Sequence, residues 1–267
     1  MFLVFDIGGT NMKLATSTDG RILGEVKVIP TIKDFNQAIL SFKQVAKELS
    51  KGQPFNKAAG GVRALDRTKT KLLNHPHFPL WVDEPLKEEL EKALSTEVIL
   101  ENDAAVAGLG EAIFGAGKGY SIVVYITIST GVGGVRIVDG KIDKSSQGFE
   151  PGNQIIDLAG KTLEAYISGE ALERTYQKKA DEITDPQIWQ EVAKYLAVGL
   201  NNVTVFWSPE IIVLGGSVMQ SITIDAVRAH LKEVLTIFPN SPNVELAKLG
   251  NESGLYGALA LTTSLRT

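Results

Sequence analysis

The turn Asp6-Ile7-Gly8-Gly9-Thr10-Asn11 sets two adjacent glycines between a carboxylate and a hydroxyl. Glycines carry no side chain, so backbone N–H groups can approach a ligand closely, and several converging on one point suit a phosphate. The same glycines would also serve a plain β-hairpin, which uses them for left-handed backbone. Asp6 bears on the choice, because a carboxylate beside a phosphate is repulsive unless Mg2+ lies between them. A second glycine-rich turn, Ser129-Thr130-Gly131-Val132-Gly133-Gly134, is led by hydroxyls and could hold another face of a polyphosphate. At Ile211-Ile212-Val213-Leu214-Gly215-Gly216-Ser217 a buried-type strand runs into glycines, where a flat nucleobase could lie on bare backbone. Neither spacing fits the dinucleotide fingerprint or the lysine-bearing phosphate loop, so those nucleotide folds are disfavoured.

Proton chemistry has one strong candidate. In Glu101-Asn102-Asp103-Ala104-Ala105 a strand gives way to a helix, so Asp103 is expected in the first helical turn, where the helix dipole suits a negative charge. A carboxylate held there can accept a proton as a general base. Asp103 could instead cap the helix, but Asn102 already supplies a capping side chain and leaves Asp103 for other work. Gly148-Phe149-Glu150-Pro151-Gly152-Asn153 and Leu163-Glu164-Ala165-Tyr166 place two carboxylates and an amide at turn or helix starts. Such groups suit sugar hydroxyls because they accept and donate in fixed directions. A solvated surface is the plainer reading of Glu164 taken alone. His75 and His77 flank Pro76; His75 reads as surface, His77 as surface or as a sugar contact.

The elements that must position these residues follow from periodicity. Phe2 to Phe5 and Met12 to Thr16 read as strands either side of the first turn, and Arg21 to Ile29 as a third extended segment ended by Pro30. From Phe35 to Leu49 apolar residues recur at three and four, which predicts a helix capped by Asp34. Lys57 to Val62 reads as a strand and Arg63 to Trp81 as an irregular surface loop of the binding kind. Val98 to Leu100 is a strand, Asn102 to Phe114 a helix, and Ser121 to Val138 two strands around the second glycine turn. That strand–turn–strand unit repeats the opening of the chain, which predicts two related lobes around a cleft. Helices are expected at Leu163 to Lys179, Ile188 to Phe206, Ile224 to Leu235 and Ser253 to Leu265, with a strand at Ile211 to Leu214.

Composition narrows the function classes. The 267 residues are 44% hydrophobic with a net charge of −4, which gives no basic field for nucleic acid. With no cysteine, disulfides, thiolate zinc sites and cysteine nucleophiles are excluded. Met1 to Val4 run straight into the first turn and no apolar run reaches membrane-spanning length, so the cytoplasm is the expected compartment, without a membrane partner.

Taken in order along nearly the whole chain, five stretches resemble the ROK family of bacterial sugar kinases. They are the first turn followed by Lys13, then Asn102-Asp103, Thr130-Gly131-Val132-Gly133-Gly134, Leu163-Glu164-Ala165-Tyr166-Ile167-Ser168-Gly169 and Val213-Leu214-Gly215-Gly216. The resemblance implies an α/β fold of the actin-like ATPase, ribonuclease H-like type in two lobes. Residues 1–102 with 253–267 would form a smaller N-terminal lobe, residues 103–252 a larger C-terminal lobe, with the active site in the cleft. It implies ATP and Mg2+ as cofactors, a hexose as acceptor, most simply O6 of glucose, and a homodimer. On that template Asp103 is the catalytic base, and Asn102, Asp103, Glu150, Asn153, Glu164, Gly61 and His77 bind the sugar. Asp6, Gly8, Gly9, Thr10, Asn11, Lys13, Thr130, Gly131, Gly133, Gly215 and Gly216 hold the nucleotide, with Asp6 reaching Mg2+ through water or the nucleotide. Closure of the lobes would keep out water, the competing acceptor.

The chain departs from the family near the sugar. Gly152-Asn153 stands where the family has Gly-His, Ala159-Gly160-Lys161-Thr162 replaces its cysteine-rich zinc loop, and His77 stands where an asparagine is usual. No zinc site is expected. Kinases for N-acetylmannosamine, N-acetylglucosamine, mannose or fructose are alternatives, as are a polyphosphate donor and a catalytically silent sugar-binding protein. Family repressors carry a DNA-binding segment before the first turn, and a turn beginning at Asp6 leaves no room for one.

Overall fold

The computed structural model describes residues 1–73, 76 and 78–263 of the 267. By its internal contacts the chain forms two units, Met1–Ile113 with Asn251–Thr267, and Phe114–Gly250. The first unit opens with β1 (Phe2–Ile7), β2 (Asn11–Ser17), β3 (Val26–Pro30), α1 (Phe35–Ser50), β4 (Lys57–Val62), α2 (Leu86–Leu94), β5 (Val98–Glu101) and α3 (Asp103–Ile113). Its sheet has the order β3-β2-β1-β4-β5. The β1, β2 and β3 pairings are antiparallel, while β4 and β5 run parallel to β1. As the periodicity predicts, α1 turns Phe35, Phe42, Val45, Ala46 and Leu49 inward, with Ala38 buried and the expected Ile39 only partly so, and the Asp34 side chain accepts from the Gln37 N–H. Phe5 of β1 meets Phe42 edge to face at 5.0 Å, which seats the helix on the sheet.

Two expectations for this unit need correcting. The segment from Arg63 to Trp81 is not surface throughout: Leu72, Phe78 and Trp81 are buried, and the Trp81 indole N–H donates to the Lys33 carbonyl at 3.1 Å. Apolar burial at these three positions outweighs the polar character of their neighbours. The extended segment predicted from Arg21 pairs only from Val26, and Pro30 is its last strand residue. Helix α2 was not foreseen, although Leu86, Leu90 and Leu94 recur at every fourth position and are its buried face.

The second unit holds β6 (Ile122–Ile128), β7 (Val132–Val138), β8 (Lys141–Ile142), α4 (Glu164–Ile167), α5 (Gly169–Tyr176), α6 (Pro186–Trp207), β9 (Ile211–Gly215), α7 (Ile224–Val234) and β10 (Asn243–Leu246). Its sheet order, β10-β9-β6-β7-β8, repeats the first sheet strand for strand: β6 to β8 pair antiparallel, and β9 and β10 run parallel to β6. The long helix α6 buries Val192, Leu196, Leu200 and Val203 against Val124, Ile126, Ile212 and Leu214 of the sheet. The single helix predicted from Leu163 to Lys179 is instead two. Ser168 interrupts it, its hydroxyl caps α5 by accepting from the Ala171 N–H, and the Gly169 N–H turns aside to the Ser129 carbonyl at 2.7 Å.

The chain then returns to the first unit as α8 (Ser253–Thr263). Leu255, Ala258 and Leu259 of α8 close a second core against Val4, Ala15, Ala59 and Val106. Helices α3 and α8 touch through glycine: a Cβ on Gly257 would fall 1.7 Å from the Val106 carbonyl oxygen, and one on Gly110 2.3 Å from that of Ser253. This contact places α3 within the first unit, whose first segment ends at Ile113. Among the described residues no helix is long and apolar enough to cross a membrane.

Candidate active site

In the first unit the sheet register draws the chemistry into one row. Asp6 lies opposite Lys13 on β2 and Gly61 on β4, and Gly61 lies opposite Glu101 on β5. The row sits at the carboxyl ends of β1, β4 and β5, where open α/β sheets bind their ligands. One step further, Asp103 opens α3, and Asn102 caps that helix by accepting from the Ala104 and Ala105 N–H groups at 3.0 and 3.2 Å. The division of labour foreseen in the sequence is incomplete, because Asp103 shares the Ala104 N–H with Asn102. Asp103 uses Oδ1 to accept from the Ala104 N–H at 2.9 Å, and its Oδ2 lies 3.4 Å from Arg63 Nε. Gly61 serves this geometry as a spacer, since a Cβ there would lie 3.2 Å from Asp103 Cα.

The first turn is a hairpin, but its glycines are not used as the hairpin reading supposed. Neither Gly8 nor Gly9 is in the left-handed region. What Gly8 contributes is the absence of a side chain: its N–H donates to the Asn11 carbonyl at 3.0 Å, and a Cβ would meet the same oxygen at 3.0 Å. The Thr31 hydroxyl donates to the Gly8 carbonyl at 2.6 Å and the Thr31 N–H to the Thr10 carbonyl at 2.9 Å. These bonds brace the turn from β3, while Thr10 and Asn11 stay exposed.

Asp6 itself is electrostatically stressed. Burial pushes its carboxyl up from the ordinary 3.8 to about 6; the Lys13 ammonium pulls it back, and the Asp103 carboxylate pushes it further up. Lys13 is held by donating from Nζ to the Asn251 carbonyl at 2.9 Å. Among the described residues no trio of metal-ligating side chains gathers. A positive ion beside Asp6 would relieve the repulsion between the two carboxylates.

The second unit gathers the other predicted residues. Glu164 is neither a solvated side chain nor free to point anywhere: its Oε2 accepts from the Val132 N–H at 2.7 Å, across Gly131, where a Cβ would lie 2.7 Å from the same oxygen. The turn from Thr130 to Gly133 is thereby tied to α4, and its Ser129 and Thr130 carbonyls accept from the Gly169 and Glu170 N–H groups of α5 at 2.7 and 3.2 Å. Glu150 and Asn153 are neighbours, with Asn153 Nδ2 donating to Glu150 Oε2 at 3.3 Å, and both are exposed. Gly216 has φ +94, a conformation that requires glycine, and turns the chain after β9. The face of Gly215 is not bare, since a Cβ there would lie 2.5 Å from the Tyr125 hydroxyl oxygen. His75 and His77 lie outside the described residues.

Sequence reasoning missed Arg63. It follows the last residue of β4 and meets Asp103 only because β4 and β5 lie side by side, with Gly61 opposite Glu101. A cation directly after a predicted strand was the one local signal.

The ROK family model matches residues 3–264. N-acetyl-D-glucosamine kinase of Shigella boydii is 28% identical, over 98% of this chain and 99% of its own. The ROK hexokinase from Thermus thermophilus gives a TM-score of 0.85 at 27% identity, covering 97% of each chain. A ROK family glucokinase from Streptomyces griseus, solved with glucose and AMPPNP, gives 0.78 at 24% identity, over 97% of this chain and 98% of that one. The α/β, actin-like class expected of the sequence is the class observed.

Proposed function

The chain belongs to the ROK family, and on that premise we propose that it is an ATP-dependent sugar kinase that phosphorylates a hexose hydroxyl, with O6 of glucose as the preferred acceptor. The observation that carries this reading is the state of Asp103. Asn102 and Asp103 Oδ1 share the capping of α3, so Asp103 keeps its other oxygen, Oδ2, outside the cap and beside Arg63 at the end of the sheet row. The Thermus thermophilus hexokinase and the Streptomyces griseus glucokinase with glucose and AMPPNP support the same assignment for donor and acceptor.

In this reading the acceptor O–H bond breaks as its proton passes to an Asp103 carboxylate oxygen. The sugar oxygen bonds to the γ-phosphorus, the bond from that phosphorus to the bridging oxygen breaks, and ADP leaves. Bound with the nucleotide, Mg2+ supplies neutralisation of phosphate charge. Lys13 and the backbone of the Gly8–Thr10 turn orient the phosphates, and Asp6 faces the cationic side of the nucleotide. Catalysis of this kind rests on positioning and electrostatics more than on covalent chemistry. Asn102, Glu150, Asn153 and the remaining oxygen of Glu164 bind sugar hydroxyls, with Gly61 keeping β4 close beneath the base. Thr130, Gly131, Gly133, Gly215 and Gly216 serve the nucleotide.

A second reading, a kinase for an N-acetylhexosamine, is favoured by the Shigella boydii relative, which matches over almost the full length of both chains. Coupled ADP release across hexoses, N-acetylhexosamines and fructose, with ATP and with polyphosphate as donors, tests both. Glucose with the highest kcat/KM upholds the first reading, and an N-acetylhexosamine in that place upholds the second. Binding of a sugar without turnover on any would show a silent binding protein. Asp103→Asn is expected to lower kcat by roughly 10²–10⁴-fold on the best sugar. Wild-type turnover in that variant would remove Asp103 from the role of base.

A further inference from the structure

Four charges stand together at the carboxyl end of the first sheet. Lys13 and Asp6 pair across β1 and β2, the Asp103 carboxylate acts on Asp6, and Arg63 reaches Asp103. The two carboxylates repel each other, and each has a cation beside it, Lys13 for Asp6 and Arg63 for Asp103. The Arg63–Asp103 contact is single-ended, Nε to Oδ2 at 3.4 Å, and each side chain is about a third exposed, 33% and 32%. Ion pairs this open contribute little to folding stability. The geometry suits another task. Asp103 Oδ1 accepts from the Ala104 N–H at 2.9 Å, while the Arg63 guanidinium attracts Oδ2 as an ion-pair partner 3.4 Å away. A hydrogen bond on one oxygen and a positive charge beside the other favour one orientation of the carboxylate, and a planar guanidinium keeps its own direction better than a flexible ammonium would.

We propose that Arg63 is a positioning residue for Asp103, holding the carboxylate in the orientation that receives the acceptor hydroxyl and balancing its charge against Asp6. This inference rests on the reading of Asp103 as the base. Arg63 itself touches neither the transferred phosphoryl group nor the proton. The same loop carries a natural control, because Lys69 makes an ion pair with Glu101, two residues before Asp103. If the loop merely needed fastening to β5, Lys69 would matter as much as Arg63.

Steady-state kinetics and unfolding midpoints of the full chain, measured with Mg·ATP and its best sugar, separate the possibilities for Arg63→Met, Arg63→Lys, Lys69→Met, Asp103→Asn and the Arg63→Met/Asp103→Asn double variant. Arg63→Met is expected to lower kcat about 10- to 100-fold, the cost of a misplaced catalytic group, with the sugar KM within about 3-fold. Arg63→Lys, which keeps the charge but not the planar group, is expected to recover only part of that loss, and Lys69→Met to stay within about 3-fold of wild type. In the Asp103→Asn background, Arg63→Met is expected to cost nothing more. A kcat for Arg63→Met within about 3-fold of wild type, or an equal loss in both backgrounds, overturns the proposal. Should the wild-type chain phosphorylate no acceptor, the kinase reading itself has failed, an outcome distinct from an active wild type in which Arg63→Met is unimpaired.

Discussion

Asp6 shows how a buried carboxylate opposes folding. Its carboxyl rises from 3.8 to about 6 because burial disfavours the anion and Asp103 adds repulsion. Between those two values the folded protein holds a proton that the unfolded chain has released. Stability from this group is therefore full below about pH 4 and is lost as pH rises to about 6. Asp6→Asn is expected to raise the unfolding midpoint at pH 7.5, by roughly 2–4 °C for each kcal/mol relieved, and to match wild type at pH 4. On the proposed mechanism the same variant is expected to lose phosphorylation by on the order of 10²-fold or more, since it removes the charge that would face the cationic side of the nucleotide. Equal melting at both pH values would show that Asp6 is not strained. Glu164 makes a contrasting case. Its role toward Val132 needs an acceptor rather than a charge. Glu164→Gln should keep the urea midpoint near that of wild type, while Glu164→Ala leaves the Val132 N–H without its partner and should cost about 1–3 kcal/mol. The residues legible in advance were those whose signal is local, such as Asn102 capping α3 beside Asp103. Arg63 was not legible, because its partner comes from another strand and only the sheet register brings them together.

Among the elements, the closest approach is between α3 and α8. Gly257 has the Val106 carbonyl where a side chain would begin, at 1.7 Å, so neither helix can keep its place if that position gains a methyl group. Gly257→Ala is expected to cost more than about 3 kcal/mol, or to prevent folding, as read by urea denaturation. Gly140→Ala makes an informative counterpart. Nothing lies within 4 Å of its Cβ position, so only the φ of +70 is strained there and a smaller loss is expected. Periodicity found most of the longer helices and the strands that bury their apolar face, since those patterns state which side is turned inward. It did not find the break at Ser168, because the Gly169 N–H is drawn to the carbonyl of Ser129, which is remote in sequence. Nor did polarity disclose that Leu72, Phe78 and Trp81 anchor the segment after Arg63. Three apolar residues scattered among turn formers have no period to read, and tertiary burial decides their fate.

At the scale of the whole molecule, the repeat seen in the glycine turns extends to both sheets, which share strand order and direction. The legible part of this was the strand–turn–strand unit; the parallel strands that complete each sheet depend on long crossovers that leave no local mark. The second unit is one continuous stretch, Phe114–Gly250, and a large core cluster lies wholly within it. A fragment of those residues is expected to fold alone with one cooperative urea transition, whereas residues 1–113 without the last helix should not reach native stability. A second core of the first unit depends on both ends of the chain, since Val4, Ala15, Ala59 and Val106 are covered by Leu255, Ala258 and Leu259. On the ribosome this inverts the usual order, in which N-terminal parts are finished first. The sheet from β1 to β5 emerges early yet waits, with that face open, until α8 clears the exit tunnel. The part of the chain that carries Asp6 and Asp103 is thus the part that nascent-chain chaperones would have to shelter longest.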